Sequence, residues 1–413
     1  EPETLSVETS AGPISRPRSD GLIGVASTRT TTSSSAGSGA AARGAGAGAA
    51  AGADAPRLLV VLLRGGMDGL TAVPPVGDPL LAQLRPGIGV RAPLPLDASF
   101  ALHPRLTQLH ALWQSNQLAI VHATGFAYTG RSHFEGQDVM QSGIMKPYAS
   151  TTGWLGRGLR AARLPGGVAV SIPMPLILKG DPQAATEFPN WMAPPRAEIA
   201  ETLQSLWAGD PWLAEHGPAL SMAGRRPAAA MDGGMSPQSH ELRRKPAELA
   251  RLAAERLRAP EGPRVALIDI PAGFDTHGLQ GGDTGTHANR LGDLDDIVGA
   301  FREAMGPDWK RSLVVTVTEF GRTAAENGTN GTDHGVGSCC FLAGGLVSRS
   351  RVIADWRGLA KAALFEGRDL PATIDACAIY ARVMERVLGL PASVIQQEVL
   401  VHAPHPLLRE LLA

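Results

Sequence analysis

The sequence predicts an α/β fold built on a parallel sheet, and three observations point there. Five continuous apolar runs have strand length: Leu58 to Leu63, Leu118 to Ala123, Val168 to Ile172, Val265 to Ile270 and Leu313 to Thr318. Unbroken rather than alternating hydrophobicity is what a strand covered on both faces requires. Between the last two runs, Leu291, Leu294, Ile297, Val298, Phe301 and Met305 share one helical face, which makes a strand-helix-strand crossover. Finally, several of these runs lead into turns carrying a carboxylate or imidazole beside glycine, as in Arg64-Gly65-Gly66-Met67-Asp68-Gly69, Phe274-Asp275-Thr276-His277-Gly278 and the stretch through Glu319-Phe320-Gly321-Arg322. Strand ends far apart in sequence can converge at one sheet edge, where open α/β folds place their ligands.

The elements follow in order. Residues 1–55 are low in complexity, with Thr30 to Ser35 entirely Ser/Thr and Ala40 to Ala53 almost all Ala/Gly. Such a segment buries too little apolar surface to offset its ordering entropy, so disorder is expected. The chain does not start with Met, which suggests a processed or incomplete N-terminus. Ala40 to Ala53 also has the small-residue character of the end of an export leader, although no twin-arginine pair precedes an apolar run. Residues 56–413 form the expected α/β domain. Within it, about 181–263 lacks strand-like runs, spaces Trp191, Trp207 and Trp212 among prolines, and then turns helical from Glu248 to Leu257. A helical insertion over the sheet, with the tryptophans as core, accounts for it. Ile374 to Leu388 reads as an amphipathic helix covering one sheet face, and Asp293, Asp295 and Asp296 read as solvated helix surface.

Composition excludes some functions. The 413 residues are 44% hydrophobic and 19% charged, enough for a sizeable core, and a formal net charge of -1 without a basic, aromatic-interleaved run argues against nucleic acid as a partner. No run approaches the roughly 20 apolar residues of a membrane span. Cys339, Cys340 and Cys377 suit neither a disulfide framework nor a zinc spacing and are expected to be buried, inert thiols. With 49 Gly and 32 Pro the chain should carry long loops, the usual seat of a site above a rigid scaffold.

The chemistry-bearing residues point to a metal. A catalytic divalent ion needs several oxygen or imidazole ligands and an open position. Asp68, Asp275, His277, Glu319 and His334 supply enough for one or two ions. Each also has a plainer reading: Asp68 as a helix cap, Asp275 as a turn-stabilising acid with a hydrogen-bonded His277, Glu319 as the ion-pair partner of Arg322, and Asp333-His334 as a carboxylate-imidazole pair. Side chains two apart on an extended segment point the same way, which favours Asp275 and His277 acting together. In Gly130-Arg131-Ser132-His133-Phe134-Glu135, Ser132 with Glu135 forms a capping-box pattern. Ser132 is therefore open to two roles, a plain N-cap or a nucleophile activated by a nearby metal.

Taken together, Leu-Arg-Gly-Gly-Met-Asp-Gly, Ser-His-Phe, Asp-Thr-His, Glu-Phe-Gly-Arg-Thr and Gly-Thr-Asp-His-Gly resemble, in the same order, the motifs of domain-of-unknown-function family 1501, in the alkaline phosphatase and sulfatase superfamily. The resemblance runs from about Pro56 to the C-terminus. It implies an alkaline-phosphatase-like fold, with a central, mostly parallel sheet sandwiched between helices, and two metal positions beside a nucleophile. By that resemblance Asp68 and Glu319 belong to the metal next to the nucleophile Ser132, and Asp275, His277 and His334 to the other. Phe320 stands where a histidine is usual, and His133 is the candidate substitute. The implied activity is hydrolysis of phosphate or sulfate esters, small or polymer-borne, with zinc, calcium or magnesium, and with Arg131 or Arg322 holding non-bridging oxygens. The family's members are generally exported bacterial proteins, so a periplasmic or secreted location is implied. The alternative is an exported binding or scaffold protein that keeps the fold without turnover.

Overall fold

The computed structural model describes residues 55–171, 173–187, 246–270, 273–400 and 405–412, with 202, 205 and 209. The expectations for the N-terminal segment, for Ile172 and for Trp191, Trp207 and Trp212 lie outside them. In chain order the strands are β1 (Arg57–Leu63), β2 (Leu94–Pro95), β3 (Ala101–Leu102), β4 (Leu118–Gly125), β5 (Val168–Val170) and β6 (Ala185–Thr186). After these come β7 (Val265–Ile270), β8 (Ser312–Val317), β9 (Ser338–Ala343), β10 (Arg351–Ile353) and β11 (Ile374–Asp375). β2 and β3 form a small antiparallel pair, and the other nine make one sheet in the order β10-β4-β9-β8-β1-β7-β5-β6, with β11 also on β4. β9 pairs antiparallel with both β4 and β8, while the remaining pairings are parallel. The sheet is therefore mixed and mostly parallel, as the sequence led us to expect.

Among the described residues the α-helices of four or more residues are α1 (Gly69–Ala72), α2 (Leu81–Leu84), α3 (Thr107–Gln114), α4 (His133–Ser142), α5 (Trp154–Ala162), α6 (Pro246–Arg258), α7 (Thr286–Met305) and α8 (Ala376–Val383). They cover both faces of the sheet, which explains the unbroken apolar runs. Leu58, Val60 and Leu62 of β1 pack with Trp154, Leu155 and Tyr380 from α5 and α8. Leu59, Val61 and Leu63 point the other way, toward Leu109, Ala253, Leu291 and Phe301 from α3, α6 and α7. All six apolar residues assigned to the face of α7 are buried. The expected C-terminal helix is shorter than the run that suggested it: Ile374 is the end of β11, Asp375 caps α8 by accepting from the amide of Cys377 at 2.9 Å, and the last turn, Met384–Leu388, widens to π geometry. The three cysteines are free and buried, and burial raises all three thiol pKa values, that of Cys340 to about 12.

One reading of α7 needs correction. Asp296 is exposed and Asp293 is half-buried against Arg290, but Asp295 is buried rather than solvated. Its carboxylate accepts from the hydroxyl of Thr107 and from the amides of Gln108 and Leu109. Leu106, the residue at the N-cap position of α3, has no side chain able to do this, so the acid is supplied from another helix. A helical periodicity cannot reveal a cap supplied across space.

Two buried imidazoles sit close behind the sheet edge. His122 on β4 donates from Nε2 to the carbonyl of Val73 at 3.0 Å and accepts at Nδ1 from the amide of Ala123 at 2.8 Å. His287 on α7 accepts at Nε2 from the amide of Asp68. Burial lowers the pKa of His122 to about 4 and that of His287 to about 3, and the carboxylate of Asp68 opposes the shift in both.

Two predictions follow from these packing contacts. Asp295→Ala should destabilise the chain by about 0.5–2 kcal/mol, the usual worth of a helix cap, whereas Asp295→Asn, which keeps an acceptor, should cost less; chemical denaturation measures both. The second concerns acid. An unfolded histidine titrates near about 6.5, so below that pH the unfolded chain binds more protons than the folded one and stability must fall. Urea midpoints should therefore drop as pH falls from about 6.5 toward 4, and His287→Gln should flatten that slope.

Candidate metal centre

Four loops meet at the edge where the parallel strands end, following β1, β4, β7 and β8. The fifth contributor is the segment just before β9. Because β9 runs against its neighbours, its beginning lies at the edge where theirs end, and that reversal brings Asp333 and His334 beside residues from β7 and β8.

Arg322 ties the loops together. Its buried guanidinium donates to the carbonyls of Gly66 at 2.9 Å, Gly65 at 2.7 Å and Phe274 at 2.9 Å, and to Asp275 Oδ1 at 2.6 Å. Gly65 has φ +112°, and a Cβ there would stand 2.6 Å from the amide nitrogen of Asp275, so only glycine lets the β1 and β7 loops approach this closely. Residues after β8 also pair with the stretch before β9: the amide of Gly321 donates to Val336, that of Gly335 to Gly321, and that of Thr323 to Asp333.

Three histidines converge on Asp275. His334 Nε2 lies 3.1 Å and His277 Nε2 3.0 Å from Asp275 Oδ1, and the two nitrogens are 3.0 Å apart. His133 Nε2 lies 3.3 Å from Asp275 Oδ2. One ligand atom each from His133, Asp275 and His334 lies within 4.8 Å of the others. Each ring has its Nδ1 set against an acceptor: Glu319 Oε1 at 2.9 Å for His133, Asp333 Oδ1 at 3.2 Å for His277, and the carbonyl of Arg131 at 2.8 Å for His334. In the neutral rings Nδ1 then carries the proton, and Nε2 presents its lone pair.

Imidazole lone pairs brought this close to one another and to a carboxylate repel unless a proton or a cation lies among them. His133 Nε2 is moreover buried without a hydrogen-bond partner. A tetrahedral ion with bonds of about 2.0–2.1 Å has its ligands roughly 3.3–3.4 Å apart, close to the spacings seen here. Acceptors on the outer nitrogens of metal-binding histidines are the usual supporting arrangement. The residues present therefore fit a divalent cation, and imidazole-rich donors suit zinc better than calcium or magnesium.

The carboxylates of Asp275 and Glu319 are held ionised. Burial opposes charge on Asp275, but the hydrogen bond and charge of Arg322, with His133 and His277, bring its pKa down to about 2. Burial also works against ionised Glu319, and the hydrogen bonds from His133, the Gly65 amide and Gln137 outweigh it. His133 is raised because Glu319 and Asp275 overcome its burial, whereas burial lowers His334.

Several expected roles look different in place. Asp68 is not joined to this cluster: it caps α1 and forms a buried ion pair with Arg85, Oδ2 to Nη1 2.5 Å, with Thr71 and Gln280 as further donors. The cap reading of Asp68 is the one the structure draws. Glu319 pairs with His133 rather than with Arg322, so it stands behind an imidazole. Asp333 serves His277 rather than its neighbour His334. Both guanidinium groups expected to hold substrate oxygens are engaged, Arg322 as described and Arg131 with Glu366 at 2.5 Å and Asp369 at 2.7 Å. The backbone of Arg131 contributes instead, through the carbonyl that orients His334. Ser132 occupies the N-cap position of α4, but its hydroxyl does not cap the helix, and Glu135 accepts from Tyr128 at 2.6 Å instead of closing a capping box. Phe320 packs its ring against His133 and His334, with centroids 4.8 and 5.1 Å away. The sequence reading missed Asn327, whose side chain donates to the carbonyl of His277 and to Asp333. Its position in Glu326-Asn327-Gly328 signalled only a turn.

Fold and site together define a mixed α/β protein with a histidine-rich candidate metal centre at the sheet edge. The family model described as "Protein of unknown function (DUF1501)" matches residues 204–399, the stretch that carries the Asp275, Glu319 and His334 motifs of the family resemblance. No curated protein matches the sequence. Similar solved structures include the lipoteichoic acid synthase LtaP from Listeria monocytogenes, 10% identical over 84% of this chain and 74% of that one, with a TM-score of 0.38. The phosphonate monoester hydrolase of Agrobacterium radiobacter is 13% identical over 81% and 74%, TM-score 0.35, and Ps i-CgsB in complex with k-i-k-neocarrahexaose is 10% identical over 82% and 72%, TM-score 0.38. None of these likenesses decides the chemistry here. No helix among the described residues is long and apolar enough to cross a membrane.

The second-sphere logic predicts graded losses of metal. His334→Ala should sharply lower bound zinc with the far-ultraviolet circular dichroism unchanged, and Glu319→Gln should weaken affinity by about 10–100-fold. Competition titration with a chelating dye measures both, and stoichiometry unchanged in His334→Ala removes that residue from the site.

Proposed function

We propose that the protein is a metal-dependent hydrolase of phosphate or sulfate esters. The observation that carries this reading is the convergence of three Nε2 lone pairs on Asp275 with every Nδ1 held by an acceptor. His133, Asp275, His277 and His334 would hold one divalent ion, which when bound would polarise an ester oxygen and carry developing charge. Glu319 keeps His133 in the tautomer that presents Nε2, and Arg322 fixes the direction of Asp275. Ser132, next to His133 and not spent on capping, is the proposed attacking hydroxyl. Its oxygen bonds to phosphorus or sulfur, the bond to the ester oxygen breaks, the serine proton passes to a base, and the leaving alcohol is protonated; water then frees the acid and restores Ser132. In keeping with the family resemblance, the proposal includes export from the cytoplasm.

Two observations favour a second reading, an exported binding or scaffold protein without turnover. Phe320 occupies the position where the resemblance leads one to expect a histidine, and Asp68 is sealed against Arg85. Both argue for one ion rather than two.

Ser132 separates the readings. Since its hydroxyl does not cap α4, Ser132→Ala should leave the melting temperature nearly unchanged, yet it should lower turnover of an aryl phosphate or aryl sulfate by orders of magnitude. A variant as active as the parent points to a water as the attacking group, and a zinc-loaded parent inactive on every ester supports the binding protein.

A further inference from the structure

The pair Asn-Gly occurs twice in the chain, and both copies lie in one repeat, Asn327-Gly328-Thr329-Asn330-Gly331-Thr332. Asparagine is chemically labile, most of all before glycine, which has no side chain to keep its amide nitrogen away from the preceding carboxamide. Two identical tripeptides in one loop should then age alike, but their surroundings differ.

The carboxamide of Asn327 is locked. Its Nδ2 donates to the carbonyl of His277 at 2.8 Å and to Asp333 Oδ1 at 3.0 Å. Its Oδ1 accepts from the amide and hydroxyl of Thr329 at 3.0 and 2.8 Å and from the amide of Gly331 at 3.0 Å. Turning Cγ onto the nitrogen of Gly328 would pull the group off these five bonds. Asn330, in contrast, is exposed and left-handed, at φ +55°. Its carboxamide makes no hydrogen bond among the described residues, and its Oδ1 merely lies close to Gly87. The restraint on its reaction is the bond from the Gly331 amide to Asn327, one against five.

We propose that Asn330 is a site of spontaneous deamidation, with Asn327 the protected copy, and that the isoaspartate formed at position 330 loosens the segment carrying His277. The nitrogen of Gly331 loses its proton to solvent base and bonds to Cγ of Asn330; the Cγ–Nδ2 bond breaks and ammonia leaves. Water then opens the cyclic imide on either side, to aspartate or to isoaspartate. In isoaspartate the chain runs through Cγ, so an extra atom enters the backbone. The Asn330 carbonyl, which accepts from the amide of Gln280 at 2.8 Å, becomes a pendant carboxylate. That junction has no slack. The amide of Leu279 donates to Thr329 and that of Thr332 to Thr276, each at 3.0 Å, and a Cβ on Gly331 would run into the carbonyl of His277. A longer backbone there has to displace residues 276–280.

The test incubates the full chain in mildly alkaline buffer and maps its peptides by mass spectrometry, with enzymatic isoaspartyl methylation marking the rearranged product. Asn330 should convert about tenfold or more faster than Asn327, because each hydrogen bond that must break raises the barrier. In concentrated urea, where both tripeptides are freed, the two rates should converge. Equal native rates, faster conversion at Asn327, or no conversion at Asn330 overturns the proposal. Asn330→Gly, which suits a left-handed backbone and has no carboxamide, should abolish the product at that position. The isoaspartate fraction, separated by ion exchange, should exchange the amide hydrogens of Leu279 and Gln280 about tenfold or more faster than fresh protein, and unchanged protection contradicts the loosening. Through His277 this bears on the metal-centre reading: zinc affinity in that fraction should fall by about 10–100-fold, the usual cost of losing support behind a ligand, and an unchanged affinity contradicts the effect on His277. A chain that binds no zinc even when fresh removes the metal-centre reading alone, since conversion and exchange are read without metal.

Discussion

The buried guanidinium of Arg322 ties the ends of three strands into one framework. It binds the Gly65 and Gly66 carbonyls after β1, the Phe274 carbonyl after β7, and Asp275, while its own backbone leaves β8 and bridges to His334 before β9. A buried cation is costly unless its donors are satisfied, and here backbone carbonyls do most of that work. The loops are thus held close, and the one carboxylate drawn in, Asp275, is oriented as well as kept ionised. The glycines at the β1 turn, the acid after β7 and the arginine after β8 form one solution to one packing problem.

Around that framework the histidines are set by what lies behind them. Glu319, Asp333 and the Arg131 carbonyl each face an Nδ1 as acceptor, so in the neutral rings the inward-facing nitrogens are lone pairs. Asn327 in turn steadies Asp333 and the backbone of His277. This outer layer explains why acids that look like ligands in the sequence do not touch the centre. A carboxylate buried behind an imidazole raises the imidazole's basicity and fixes its tautomer, which a direct bond could not do for a neighbouring ligand.

Much of the fold was legible because continuous apolar runs and a helical stripe are local signals. Val265 to Ile270 was read to the residue, and the face of α7 was read in full. The site was legible as a set of positions but not as a set of roles. Spacing shows that Glu319 and Arg322 are three apart, yet whether they meet depends on which strand ends adjoin, and β1 and β7 intervene to claim Arg322. The antiparallel course of β9, which alone explains how His334 reaches its place, leaves no mark in local periodicity. Likewise the pairings of Asp68 with Arg85 and of Asp295 with α3 are contacts across space, invisible to any window along the chain.

The central claim is that His133, His277, His334 and Asp275 enclose a divalent ion. X-ray absorption spectroscopy on the zinc-loaded chain tests it most directly. The account predicts a low-coordinate shell at about 2.0–2.1 Å with the multiple-scattering signature of three imidazoles and one or two light oxygen neighbours. A spectrum dominated by six oxygens, without imidazole scattering, would contradict it.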